Sequence, residues 1–233
     1  MMFYAVSGFI FGLLIPYMAR RFSKFMPATM AYALYRLIWP VKKVSKEKRQ
    51  KNGSYQKLMK KYFMRSIGWA IVSSALCLGT YFCFSKDVAV WYVCLILPLL
   101  LLYEIDERIF LLPDILTIPL LLGGFCFVSF TTTPIADDFL TPVQISALGA
   151  VAGYFLPVIA SIVLVKKHPD CFGGGDIKLL SALGAWFGIG SVPYLILISS
   201  AIFAIMSFVK KQRAGAFGPA IVIAAIIILF FNL

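Results

Sequence analysis

The amino-acid sequence predicts an all-α membrane protein, a polytopic bundle of about eight transmembrane helices with its N-terminus outside. Hydrophobic residues make up 61% of the 233 residues and only 14% are charged, which gives a mean hydropathy of +0.90. Apolar runs of about 17–25 residues recur along the chain, the length that crosses a bilayer as a helix. Because these runs lack strand-like alternation, the sequence favours a helical bundle over a β-barrel.

Eight apolar runs are predicted to span the membrane, near residues 1–18, 67–85, 88–105, 111–130, 143–165, 177–190, 191–209 and 216–232. No basic residue precedes the first run, and Arg20 and Arg21 follow it, which is typical of a retained span and not of a cleaved leader. The sixth run is short and interrupted by glycine, which suits a tilted or broken helix.

The distribution of basic residues predicts the orientation of the spans. With the N-terminus outside, every Lys and Arg except Lys86 falls on the inside, whereas the outer loop carries Asp137 and Asp138. This asymmetry satisfies the positive-inside rule. We therefore expect a multi-pass membrane protein whose basic loops face the inside.

A basic segment at residues 42–65 accounts for much of the net charge of +12. Next to a membrane span, such a segment indicates contact with anionic lipid head groups and not with nucleic acid. The apolar stretch at 27–40 suits a helix lying in the interface. We predict two domains: residues 1–66, the first span with a basic cytoplasmic loop that lacks cysteine, and residues 67–233, embedded in the membrane.

The sequence predicts neither a metal site nor a cofactor. His168 is the only histidine, and a solvated loop position explains it. The five cysteines form no C-x-x-C pair, so neither a zinc site nor a redox pair is indicated.

The acidic residues are the informative polar groups, because acids are costly in or beside hydrocarbon. Six are predicted on the inner side, and three of them stand at span ends: Asp106 after the third span, Asp114 at the start of the fourth, and Asp176 at the start of the sixth. Helix packing could bring Asp106 and Asp176 together. Two adjacent carboxyl groups share a proton, so that one activates water while the other protonates the substrate.

The glycines before Asp176 would permit close backbone approach and positive φ angles, and the helix dipole would favour the ionised form of Asp176. A simpler interpretation is also open. Asp176 and Asp114 are suitable helix caps, and Asp106 could join Arg108 in a charge cluster at the head-group level. Spacing alone does not decide between these interpretations.

Two motifs in the chain resemble the signature motifs of type IV prepilin peptidases, which belong to the GxGD aspartyl membrane proteases. The first runs from Ile105-Asp106 to Leu112-Pro113-Asp114 and on to Pro119-Leu120, and the second is Gly173-x-Gly175-Asp176-x-Lys178-Leu179. The segments 184–188 and 217–219 are also similar to the family. The resemblance covers about residues 95–225.

The resemblance implies that Asp106 and Asp176 form the catalytic pair, and that Asp114, Gly173, Gly175 and Lys178 support it. It also implies cleavage of prepilins or pseudopilins, which carry a short basic leader before an apolar helix, at the cytoplasmic membrane edge. The partners would be these substrates and membrane lipid.

The chain departs from the family pattern in its first cytoplasmic loop, where many members carry paired C-x-x-C motifs and many also N-methylate the product. Residues 19–66 contain no cysteine, and Leu13-Leu14-Ile15-Pro16-Tyr17 lacks the usual Ser-Phe and Asn of the opening motif. We therefore expect peptidase activity without methyltransferase activity.

Two other classes of function remain open from the sequence. A transporter or channel could use glycine-broken helices and acids to bind cations, but its acids are expected near the bilayer midplane and not at one edge. A non-catalytic subunit of a pilus or secretion system would tolerate replacement of both aspartates. A presenilin-like intramembrane protease is a variant of the aspartyl-protease interpretation, and its acids are expected deeper in the spans.

Overall fold

A computed structural model describes residues 1–25, 53–131, 140–164, 173–210 and 215–231. Within these ranges the regular structure is entirely helical, which confirms the predicted all-α class. The elements are α1 Met2–Phe25, α2 Gly53–Cys83, α3 Lys86–Ile109, α4 Asp114–Thr131, α5 Pro142–Leu164, α6 Gly174–Phe187, a 3₁₀ turn Ile189–Ser191, α7 Val192–Lys210 and α8 Gly218–Phe231.

The helices are those of a multi-pass membrane protein. Six described segments are long and apolar enough to cross a bilayer: Met2–Ser23, Lys60–Cys83, Lys86–Ile109, Asp114–Thr131, Pro142–Ile162 and Ile189–Lys210. Helix α8 is a shorter apolar helix. Each of the eight predicted runs overlaps one of the helices, while the number of crossings and the outside N-terminus remain predictions.

The first compact unit, Met1–Phe84, consists of α1 packed against α2. Two serines of α2 join the helices through the backbone of α1. The Ser73 hydroxyl donates to the Gly8 carbonyl oxygen at 2.6 Å, and the Ser74 hydroxyl donates to Ala5 at 3.2 Å. Hydroxyl groups in an apolar helix pair need such acceptors, and small residues let the two backbones approach.

The second compact unit, Ser85–Leu233, is built around α6. Helices α4, α5, α7 and α8 all pack on α6, and every residue from Leu179 to Trp186 is buried. Helix α6 has 14 residues, about 21 Å at 1.5 Å per residue, and is shorter than the hydrocarbon core. It is short, as predicted, but unbroken, because Gly184 remains helical and the helix ends at Gly188, where φ is +78°.

Polar side chains on α5 and α6 satisfy their hydrogen bonds on the neighbouring helix. The Ser146 hydroxyl donates to the Ala185 carbonyl at 2.6 Å, and the Ser181 hydroxyl donates to Ala150 at 2.8 Å. The buried indole of Trp186 donates to the Leu120 carbonyl of α4 at 2.7 Å. These bonds hold the central helix, which carries Asp176 in its first turn.

Several sequence predictions fall outside the described residues. These are the interfacial helix at 27–40, residues 42–52 of the basic segment, the acids Asp137, Asp138 and Asp170, His168 and Cys171. The compact units divide between Phe84 and Ser85, and the functional boundary predicted between residues 66 and 67 remains a prediction.

Candidate active site

Asp106 stands in the last turn of α3, where the chain turns toward α4. The helix ends at Phe110, whose backbone adopts the left-handed conformation with φ at 54° and whose N–H donates to the Asp106 carbonyl. The Asp106 residue is only 4% exposed. It therefore does not belong to a charge cluster at the surface, which was one of the alternatives that the sequence left open.

The buried carboxyl group of Asp106 is held by the beginning of α8. Its Oδ2 accepts a hydrogen bond from the backbone N–H of Gly218 at 2.9 Å. The N–H groups of Ala220 and Ile221 both turn to the Phe217 carbonyl, and Pro219 has no N–H. Gly218 thus supplies the amide that the start of the helix directs at Asp106.

Gly218 is required at this position by close packing. A Cβ atom at residue 218 would lie 2.7 Å from Oδ2 and 3.0 Å from Cγ of Asp106. Any larger residue would push the carboxyl group away from the amide or tilt the start of α8.

Asp176 stands in the first turn of α6. Its Oδ2 accepts a hydrogen bond from the Gly173 N–H at 3.3 Å, so the side chain does help to cap the helix. Its Oδ1 is buried and has no hydrogen-bond partner among the described residues. Capping therefore occupies only one of the two carboxyl oxygens.

Asp106 and Asp176 are close enough to interact electrostatically. Burial, and then the negative charge of Asp106, raise the pKa of Asp176 well above its ordinary value, and the hydrogen bond from Gly173 opposes this only in part. The sequence predicts that the helix dipole favours the ionised form of Asp176. Burial and the charge of Asp106 act in the opposite direction.

The glycines before Asp176 meet one of their two expected roles. A Cβ atom at Gly175 would lie 2.8 Å from the Cβ of Leu112, so glycine allows α6 to approach the turn before α4. Gly173 has an ordinary extended backbone with φ at −68°, and Gly174 begins the helix. The expected positive φ angles do not occur at these glycines.

Asp114, the first residue of α4, pairs with Lys178 of α6. The Lys178 Nζ atom lies 2.7 Å from both carboxylate oxygens of Asp114. The two side chains are 46% and 41% exposed for Lys178 and Asp114, respectively. The pair therefore links α4 to α6 at the surface, whereas Asp106 is buried and Asp176 is half-buried.

The other acids near Asp106 have basic partners. Glu104 is fully buried and pairs with Arg108 at 2.6 Å, while Glu107 pairs with Lys210 at 3.4 Å. Among the described contacts, Arg108 therefore forms its ion pair with Glu104 and not with Asp106.

A cavity of about 300 Å³ adjoins this end of the second unit. Glu107 and Lys210 lie on its wall, and most of the remaining wall is apolar, formed by Phe110, Phe203, Met206 and Ala216. It lies between the ends of α3 and α7 and the residues that precede α8.

Among the residues that the structure describes, no group of three or more His, Cys, Asp or Glu side chains is arranged to hold a metal ion. The chemistry available in this region is that of two carboxyl groups, one buried and one half-buried, with different hydrogen-bond partners. Gly218 helps to set the environment of Asp106, but the sequence analysis places it only within the family-like segment 217–219. A glycine followed by proline at the start of an apolar helix is the signal that could have identified it.

Comparison with known proteins gives a consistent result. Residues 93–208 match the type IV leader peptidase family. Three similar relatives are each named a prepilin leader peptidase/N-methyltransferase. That of Neisseria gonorrhoeae is 39% identical over 55% of this chain and 44% of its own length. The relative of Dickeya chrysanthemi is 35% identical over 66% and 51%, and the relative of Escherichia coli K12 is 37% identical over 67% and 63%.

The chain thus spans about half the length of the curated relatives it matches. No solved structure matches it.

Proposed function

Because residues 93–208 belong to the type IV leader peptidase family, as the motifs predicted, we propose that this chain is a membrane aspartyl endopeptidase. It removes the basic leader from type IV prepilins or pseudopilins at the cytoplasmic edge of the bacterial inner membrane. The proposed substrates follow from the relatives, each of which is named a prepilin leader peptidase/N-methyltransferase.

The observation that carries the proposal is the pairing of two acids from distant helices. Asp106 is buried at the end of α3, and its charge acts on the half-buried Asp176 of α6. A structural protein gains nothing from two interacting, desolvated carboxyl groups, since each costs free energy to bury. Acids that interact and have perturbed pKa values are typical of a catalytic site.

The chemistry needs no group beyond this pair and water. One carboxylate removes a proton from a water molecule as the water attacks the peptide carbonyl carbon, and the other carboxyl group protonates the carbonyl oxygen. Asp114, Gly173, Gly175 and Lys178 support the pair by fixing α4 and the beginning of α6. The contact of Gly175 with Leu112 and the Asp114–Lys178 ion pair are consistent with that role.

We further propose that the chain acts as a peptidase alone. Residues 19–66 contain no cysteine, whereas the matched relatives are named for both activities. The proposal includes no cofactor, and the partners are the prepilin substrates and membrane lipid.

The experiment is co-expression with candidate prepilins, with leader removal followed by gel shift and mass spectrometry. We expect Asp106→Asn and Asp176→Asn each to abolish cleavage, because Asn is nearly isosteric and keeps an oxygen for the Gly218 or Gly173 amide but cannot exchange a proton. Asp87→Asn is the matched control, since Asp87 stands in the first turn of α3, at the opposite end from Asp106.

The proposal fails if either Asn variant, at normal membrane abundance, processes prepilin at a rate near that of the parent. It also fails if the parent cleaves none of the candidate substrates under conditions in which a matched relative does.

A further inference from the structure

We propose that Gly218 is a positioning residue for the cleavage reaction, and that it gives the two acids different roles. Its amide keeps Asp106 ionised as the base that activates water, and leaves Asp176 as the acid that carries the shared proton. This inference rests on the proposed function and concerns how that function is carried out.

Two features of its surroundings favour a negative charge on Asp106 over one on Asp176. The Gly218 N–H donates to Oδ2 at 2.9 Å in a buried setting, where a hydrogen bond to a charged group is stronger than in water. The N-terminus of α8 contributes its positive end. The first residues of α8, Gly218 to Ile221, are all buried, so water does not compete for this amide.

The surroundings of Asp176 favour the neutral form. Its only hydrogen-bond donor among the described residues is the Gly173 N–H, at the longer distance of 3.3 Å and in an exposed setting. Its Oδ1 is buried without a partner among the described residues. Because a buried anionic oxygen without a donor is costly, a single proton shared by the two acids belongs on Asp176.

The reaction then proceeds in two balanced steps. In the first, the Asp106 carboxylate takes a proton from water, the water oxygen bonds to the carbonyl carbon, and Asp176 gives its proton to the carbonyl oxygen. In the second, Asp106 passes its proton to the amide nitrogen as the C–N bond breaks, and Asp176 takes back a proton from a hydroxyl group of the intermediate. The products are a carboxylic acid and an amine, and both acids return to their starting states.

The test is Gly218→Ala, which retains the backbone N–H but places a Cβ atom 2.7 Å from Oδ2 of Asp106. Displacing the carboxyl group weakens its hydrogen bond and favours its protonated form. We expect kcat to fall about tenfold or more with KM nearly unchanged, and the acidic limb of the pH profile of kcat to move up by about one unit.

Two glycine variants separate this effect from a general loss of structure. Gly190→Ala adds a Cβ atom in open space and should behave as the parent, whereas Gly8→Ala places one 2.8 Å from the Ser73 backbone in the first unit. Gly8→Ala should lower the amount of folded protein without moving the pH profile. If Gly218→Ala loses activity equally at all pH values, or retains the parent's kcat, the inference is overturned.

A second measurement does not depend on the folding of the Gly218 variant. Infrared difference spectroscopy at neutral pH should show a protonated carboxyl band in the parent that is lost in Asp176→Asn. Persistence of that band in Asp176→Asn would place the proton elsewhere and overturn the role assignment. If either measurement overturns the inference about Gly218, the proposed function still stands as long as the parent cleaves prepilin and the Asn variants do not.

Discussion

At the scale of single residues, the surroundings of an aspartate decide its chemistry more than its place in a helix does. Asp114 and Asp176 both stand in the first turn of a helix. Asp114 is half-exposed and paired with Lys178, so water and a counter-ion both stabilise its charge. Asp176 is withdrawn from water beside another acid, which raises its pKa. The same local position therefore yields a surface ion pair in one case and a candidate catalytic group in the other.

This contrast predicts that substitutions in the exposed Asp114–Lys178 pair slow cleavage less than substitutions of Asp106 or Asp176. Asp114→Asn, or Lys178→Met, should slow prepilin processing only a few-fold, because an exposed ion pair contributes about 0–1 kcal/mol. Processing rates at matched membrane abundance check this, with Asp106→Asn as the inactive reference. A complete loss of cleavage in Asp114→Asn would assign that residue to the reaction itself.

At the scale of helices, α6 owes its position to packing on all sides. It is too short to cross the hydrocarbon core alone, and its continuous run of buried residues lies among α4, α5, α7 and α8. Trp186 fixes the end of α6 farther from Asp176, where its ring stacks on Phe127 of α4 at 5.2 Å and its indole N–H reaches the Leu120 carbonyl. The interface between α4 and α6 thus combines apolar contact with one oriented hydrogen bond.

A graded series at Trp186 tests this interface. Trp186→Phe keeps a ring against Phe127 but removes the donor, and should destabilise the protein by about 1 kcal/mol. Trp186→Ala also leaves a cavity and should cost about 3–5 kcal/mol. The midpoint of thermal unfolding in detergent should fall in that order. Equal midpoints for the parent and Trp186→Ala would show that the ring does not hold α6 in place.

At the scale of the whole molecule, the family match and the compact units describe different parts of the chain. The matched residues 93–208 lie within the second unit, together with both candidate acids. The first unit contains α1, α2 and the cysteine-free segment between them, of which residues 26–52 lie outside the described ranges. The proposed peptidase chemistry is therefore placed in the second unit, and the departure from the family pattern concerns the first.

The processed pilin should show the consequence of this departure from the family pattern. Mature pilin made by this chain alone is expected to carry a free, unmethylated N-terminal amine, because residues 19–66 lack the cysteines found in many methylating members. Intact-mass analysis of the processed pilin measures this, with a relative named for both activities as the positive control. One added methyl group, in a host without another methyltransferase, would contradict the prediction.

The sequence by itself determined the membrane class, the approximate place of each helix, and the position of the acids at helix ends. These features depend on local properties of the sequence. The length of an apolar run determines whether it can span the bilayer, and acidic residues mark where a span begins or ends. Asp106 at the end of α3, and Asp114 and Asp176 in the first turns of α4 and α6, lie where the apolar pattern predicts them.

Only the tertiary structure decided which groups surround these acids. Gly218 is 112 residues from Asp106, and Lys178 is 64 residues from Asp114, so no local pattern brings either pair together. The state of a carboxyl group depends on burial, neighbouring charge and donors within a few ångström. Those quantities are set by how α3, α6 and α8 pack. The start of α8 enters the site through its backbone, so the sequence marks the segment 217–219 but not its contact with Asp106.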